Sequence, residues 1–141
     1  MSYTFLVVDK SEADAARTMQ QLAVAQRGAE VLFASSGERA LELLEARKLA
    51  PSLIFLDFSL PDMNGIAFLG MIRQTRWLSQ APVAMLSEPV EDRHVVSCFR
   101  LGVCAFLTKP VQAHELRETL RDCAWPSQHL SLLPDTHSAA A

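Results

Sequence analysis

The sequence predicts an α/β fold: five strand-then-helix units forming a parallel five-stranded sheet with helices on both faces. Three observations predict it. Residues 53–56 are an unbroken apolar run that stops at Asp57 and leads into Pro61, Asp62, Asn64 and Gly65. An apolar run closed by turn residues is the pattern of a parallel strand covered on both faces, since neither face is left to water. Further largely apolar runs lie at 3–8, 30–34, 82–86 and 103–108, and a segment with helical apolar spacing follows each. Finally, 141 residues, half of them hydrophobic and about a fifth charged, suit one domain with a real core.

In chain order, the first strand ends in Asp9 and Lys10. Ser11 is a good N-cap for the first helix, and Glu12 and Asp14 suit the positive end of its dipole. Ala15, Met19, Leu22 and Ala23 recur at helical spacing to about Gln26, and Gly28 closes the helix. After the second strand, Ser35 and Glu38 have the spacing of a capping box, with Ala40, Leu43 and Leu44 as the inward stripe. Phe68, Leu69 and Ile72 mark a third helix running to roughly Arg76. The fourth strand ends in Ser87, Glu88 and Pro89; Val95, Cys98 and Phe99 carry a fourth helix that Gly102 stops. The fifth strand ends in Lys109 and Pro110, and Leu116, Leu120 and Cys123 share one face of a fifth helix.

Right-handed crossovers leave few topologies open for such a chain. Residues 1–124 form the domain. Residues 125–141, with Trp125, Pro126, Pro134 and a terminal Ala triplet, are expected to be a flexible C-terminal tail, with Trp125 folded back on the last helix.

Composition excludes several function classes. A net charge of −3 gives no case for nucleic-acid binding. Cys98, Cys104 and Cys123 are odd in number and form no CxxC pair, which favours a reducing, cytoplasmic setting over a disulfide framework or zinc site. The apolar run at 5–8 is too short for a signal peptide or a membrane span.

Strand ends carry the chemistry in open α/β sheets. Here four of them deliver Asp9, Asp57, Ser87 and Lys109 to one edge. Each residue alone reads more readily as a cap or turn former. A carboxylate nucleophile, a hydroxyl and an amine converging on one basin is a different matter.

The motifs are Val-Val-Asp-Lys-Ser after the first strand, Leu-Asp-Phe-Ser-Leu-Pro-Asp-Met-Asn-Gly after the third, Ser87 after the fourth and Phe-Leu-Thr-Lys-Pro at the fifth. In that order and spacing, residues 3 to about 123 resemble the response-regulator receiver domain, the phosphoacceptor module of two-component signalling. The resemblance implies that Asp57 accepts the phosphoryl group from a histidine kinase or phosphotransfer protein. A carboxylate attacks phosphorus as a nucleophile, and the protein supplies position and charge. By the same resemblance Lys109 pairs with the phosphoryl oxygens, Ser87 donates a hydrogen bond to them, and Phe106 is the aromatic switch, although plain core packing fits a Phe there too. Lys109–Pro110 is expected to be cis, and the fold is expected to be flavodoxin-like with strand order 2-1-3-4-5. Asp9, Asp57 and the Ser59 carbonyl are the implied Mg²⁺ ligands.

The chain departs from that pattern at two positions. Receivers usually carry a second acid directly after the first, and here the position is Lys10. An ammonium offers Mg²⁺ no oxygen ligand, and two lysines cancel two acids in the basin, so Mg²⁺ binding is expected to be weakened or absent. Beside Ser87, where receivers place a small residue, stands Glu88, which narrows access if it turns inward.

The expected partner surface is the fourth helix, fifth strand and fifth helix, with Arg93, His94, Arg100, Phe106, His114 and Arg117 as candidates. No second domain follows in the sequence, so the expectation is a stand-alone receiver, a monomer or weak homodimer, that signals by binding protein and touches neither nucleic acid nor membrane. The competing reading is a degenerate module that works without phosphorylation, with Lys10 paired to Asp57 in place of the metal. An unrelated small enzyme on the same fold is the weakest option, since the chain has no glycine-rich phosphate loop and no nucleophile elbow.

Overall fold

A computed structural model of the chain describes residues 2–129. The elements are β1 (Thr4–Val8), α1 (Glu12–Ala25), β2 (Glu30–Ala34), α2 (Gly37–Arg47), a two-residue β3 (Leu49–Ala50), β4 (Leu53–Asp57), α3 (Gly65–Gln74), β5 (Val83–Ser87), α4 (Asp92–Arg100), β6 (Ala105–Thr108), α5 (Ala113–Cys123) and a two-residue β7 (Gln128–His129). A short 3₁₀ turn, Arg76–Leu78, follows α3.

The main sheet is parallel with order β2-β1-β4-β5-β6. Counted over its five strands alone, this is the expected 2-1-3-4-5. Every residue of β1, β4 and β5 is buried, as their unbroken apolar runs require. Alternate side chains build two cores. Leu6, Val8, Ile54, Leu56, Val83 and Met85 pack with α2, α3 and α4 on one face. Phe5, Val7, Phe55, Ala84 and Leu86 pack with α1 and α5 on the other.

Register then fixes the functional edge. Leu56 lies opposite Val8 and Met85, Asp57 opposite Leu86, and Ser87 opposite Thr108. The four strands therefore end level, and the residues that follow them meet on one rim.

Local signals place most boundaries within a residue or two. Ser11 caps α1 by accepting from the Asp14 N–H, and Gly28 takes the positive φ of 84° that ends the segment. The expected Ser35 capping box is corrected: Ser36 caps α2, accepting from the Arg39 N–H. The reason lies in another loop. Both Asp62 oxygens accept α2 amides, from Gly37 at 3.0 Å and Glu38 at 2.9 Å, so the helix N-terminus is satisfied by a carboxylate 24 residues away.

The chain after α5 turns back under the sheet. Trp125 N–H donates to the Ser52 carbonyl, Ser127 N–H to the Ser2 carbonyl, and β7 pairs antiparallel with β3. Trp125 is exposed rather than folded onto the last helix. Residues 130–141 of the expected tail lie outside the described residues.

Candidate functional site

Asp57 is the last residue of β4 and is buried. Gly65 lets the following loop close over it: a Cβ there would sit 3.1 Å from the Asp57 carbonyl and 3.0 Å from the Phe58 Cα. The loop folds so that the Ser59 N–H donates to Asp57 Oδ1 at 3.1 Å. The other oxygen, Oδ2, accepts the Lys10 backbone N–H at 3.2 Å and the Lys10 ammonium at 3.3 Å. The Lys109 ammonium is ion-paired to the same oxygen at 3.4 Å.

Asp9 stands one residue beyond β1, its N–H bonded to the Ala34 carbonyl. Its Oδ1 takes the Ser11 N–H at 3.0 Å and the Lys109 ammonium at 3.1 Å, while Oδ2 is buried without a partner. Lys109 is anchored from β5, its N–H donating to the Ser87 carbonyl at 2.8 Å, and its bond to Pro110 is cis.

The two buried acids are pushed in opposite directions. Burial opposes ionisation of Asp57, but the Ser59 N–H, the neighbouring Asp9 carboxyl, the Lys10 N–H and the Lys109 charge outweigh it, so its carboxyl lies below the ordinary range. In Asp9 burial prevails over the Ser11 N–H and Lys109, and its carboxyl lies above. Burial disfavours the Lys109 charge, yet Asp9, Asp57 and Asp14 overcome it and raise the ammonium above its usual value.

Of the residues singled out from the sequence, Asp9, Lys10, Asp57 and Lys109 form one charged cluster. Ser87 is buried on the neighbouring strand, and its hydroxyl donates to the Glu88 carbonyl rather than toward Asp57. Glu88 is exposed. Phe106 is half-buried against the core beneath α4. His94 meets Phe58 edge-on at 5.5 Å, which joins α4 to the loop after Asp57. Arg93 pairs with Glu91; Arg100, His114 and Arg117 are exposed.

Sequence reasoning missed Asp14. Read as a helix-dipole acid, it also reaches Lys109, Oδ2 to Nζ at 3.4 Å. A signal was present. Asp14, Thr18 and Gln21 fall at i, i+4 and i+7, a polar stripe beside the buried Ala15 and Leu22. In the structure that stripe, with Asp9, Lys109 and Val111, lines a cavity of about 20 Å³.

The description that matches the chain is "response regulator receiver domain", over residues 5–121. The chain belongs to that family. It is 31% identical over 132 residues to the sensory/regulatory protein RpfC of Xanthomonas campestris, a match covering 92% of this chain and 18% of that one. It is 36% identical over 108 residues to the transcriptional regulatory protein AfsQ1 of Streptomyces coelicolor, covering 77% and 46%. The chain thus spans less than half the length of these curated relatives. Among solved structures, a putative response regulator from Chloroflexus aurantiacus superposes with TM-score 0.78 at 27% identity, covering 87% of this chain and 98% of that one. The chemotaxis response regulator CheY4 of Vibrio cholerae gives 0.74 at 26%, covering 86% and 98%. The receiver is thus a signal-transduction module of two-component systems, a class that interacts with histidine kinases or phosphotransfer proteins and with downstream effectors. Among the described residues no helix is long and apolar enough to cross a membrane.

Receivers typically bind Mg²⁺ at the phosphorylation site, and this donor set does not fit it. Mg²⁺ needs oxygen ligands in near-octahedral array. Here the second acid is Lys10, Asp57 Oδ2 is already occupied by two ammonium groups and an amide, and Asp57 Oδ1 by another amide. Of the expected ligands, Asp9 Oδ2, unpartnered in an enclosed position, and the Ser59 carbonyl remain, too few for that array. Among the described residues no group of three His, Cys, Asp or Glu side chains is placed to hold a metal ion.

Proposed function

We propose that this receiver accepts a phosphoryl group on Asp57 and that Lys10, rather than Mg²⁺, supplies the second positive charge at the site. The observation that carries the reading is the Lys10 ammonium at 3.3 Å from Asp57 Oδ2, on the oxygen a metal would share. In the transfer a carboxylate oxygen of Asp57 bonds to phosphorus while the bond from phosphorus to the donor's imidazole nitrogen breaks, and that nitrogen keeps the electron pair. The depressed carboxyl keeps Asp57 ionised for attack. Lys109 and Lys10 meet the charge on the phosphoryl oxygens, and Ser87 turns from the Glu88 carbonyl to donate to them. Lys10 has the freedom this requires: its side chain is 46% exposed, against 8% for Lys109. Output is through the face of α4, β6 and α5, where His94 and Phe58 couple α4 to the acceptor loop.

A second reading, a module that binds its partner without phosphorylation, is favoured by the same contact, because Asp57 already sits in a neutralised, fully hydrogen-bonded state. One experiment separates the two. The protein, Asp57→Asn and Lys10→Asp are incubated with acetyl phosphate, with and without Mg²⁺, and read by intact mass. The expected result is one phosphoryl group on the wild type, absent from Asp57→Asn, with Mg²⁺ accelerating Lys10→Asp at least about tenfold, ~1.4 kcal/mol, and the wild type little. Phosphorylation of Lys10→Asp alone selects the second reading.

A further inference from the structure

We propose that Asp14 is a positioning residue that holds Lys109 on the α1 side of the basin and must release it for the phosphoryl group to be bound. The inference rests on the phosphoacceptor reading above. An ammonium has three N–H donors. Lys109 Nζ faces three carboxylates, Asp9 Oδ1 at 3.1 Å, Asp14 Oδ2 at 3.4 Å and Asp57 Oδ2 at 3.4 Å. Hydrogen-bond geometry is met toward Asp9 and Asp14, whereas Asp57 is only ion-paired. Two of its three N–H groups are thus committed to Asp9 and Asp14, which leaves one to serve both the Asp57 carboxylate and an arriving phosphoryl oxygen.

One carboxylate has to be given up, and burial decides which. Asp9 has no exposed surface, so losing its cation would strand a charge out of reach of water. Asp57 is the acceptor itself. The Asp14 side chain is 37% exposed, so water can replace the lysine there at small cost. The cavity beneath, bounded by Asp14, Thr18, Gln21 and Lys109, leaves the amine room to shift along this side. Asp14 also restores a third acid to a basin in which Lys10 stands where the second would be, so the cluster carries two lysines and three carboxylates.

The test is the rate at which the full chain is phosphorylated by acetyl phosphate, read by intact mass over a range of donor concentrations, for wild type, Asp14→Asn and Asp14→Glu. Asp14→Asn is expected to raise the maximal rate about fivefold, ~1 kcal/mol, without moving the half-saturating donor concentration. Asp14→Glu, which restores the carboxylate, returns the rate to wild type. A helix-dipole role alone lowers the melting temperature of Asp14→Asn without raising its rate. An Asp14→Asn rate equal to or below that of a phosphorylated wild type overturns the inference and leaves the phosphoacceptor reading intact. No phosphoryl group on any of the three chains overturns that reading, and the inference with it.

Discussion

Two cations at opposite ends of the sheet are neutralised in different ways. At the lower end, the half-buried Arg73 donates to four backbone carbonyls: Leu101 at 2.8 Å, Ala81 at 2.8 Å, Gly102 at 3.1 Å and Ser79 at 3.3 Å. Among the described residues it has no carboxylate partner. At the upper rim Lys109 is held by carboxylates. Carbonyl dipoles are fixed and do not titrate, so the Arg73 clamp has one state. Carboxylates can be protonated, phosphorylated or resolvated, so the Lys109 cluster has several. The same charge is a rivet in one place and exchangeable in the other.

The largest expected effect is at the rivet. Arg73→Met leaves four carbonyls of the loops before β5 and after α4 without their donor, at about 3 kcal/mol of stability. Because none of those acceptors titrates, urea unfolding at pH 7 and pH 4 should give the same loss. A loss that changes with pH would break the distinction between the two ends.

Lys109→Met is the matching change at the rim and should behave otherwise. Breaking a fully buried pair costs about 3–5 kcal/mol. Here about 2 is expected at pH 7, since Lys10 stays on Asp57 and Asp14 reaches water. The sign of the pH dependence follows from the two acids. Asp57's folded carboxyl is depressed, so its contribution is present above the unfolded value and is lost as pH falls through the folded one. Removing Lys109 shrinks that depression and raises Asp9 further, so the variant takes up protons more readily than the wild type. The gap between them should be widest at neutral pH, narrow as Asp9 protonates, and close further below about pH 4 as Asp57 follows. Paired urea titrations at pH 7, 5 and 3 measure it, and a constant gap would mean that Lys109 is a second rivet.

How much of this the sequence discloses follows the same division. Residues 53–57 carry their strand, their burial and their exit into the rim in consecutive letters, and so do β1 and β5. The convergence of Asp9, Asp57 and Lys109 was legible because topology alone places parallel strand ends together. Arg73 was not legible, since its acceptors come from two separate loops that only the folded chain assembles. Asp62 was hidden for a similar reason: as a turn residue its local role is complete, and nothing near it in sequence shows that it caps α2. The β3–β7 pair is two residues long on each side, too short for any periodicity. Asp14 lay between these cases, visible as a polar residue beside an apolar stripe but already accounted for by the helix dipole.

The smallest effect on stability belongs to Lys10, and its smallness sharpens the comparison. Its ammonium is as close to Asp57 Oδ2 as that of Lys109, 3.3 Å against 3.4 Å. Distance alone would make the two equal. Exposure separates them: the Lys10 side chain is 46% exposed and that of Lys109 8%, so water screens the first pair and takes up its charge when the contact breaks. Lys10→Met should therefore change unfolding free energy by less than about 0.5 kcal/mol, as Asp57 keeps Lys109 and the backbone amides of Ser59 and Lys10. A loss nearer that of Lys109→Met would mean that Lys10 is locked onto Asp57, and a locked lysine could not move aside for the phosphoryl group. A near-neutral variant fits a cation that occupies the metal's place loosely enough to leave it.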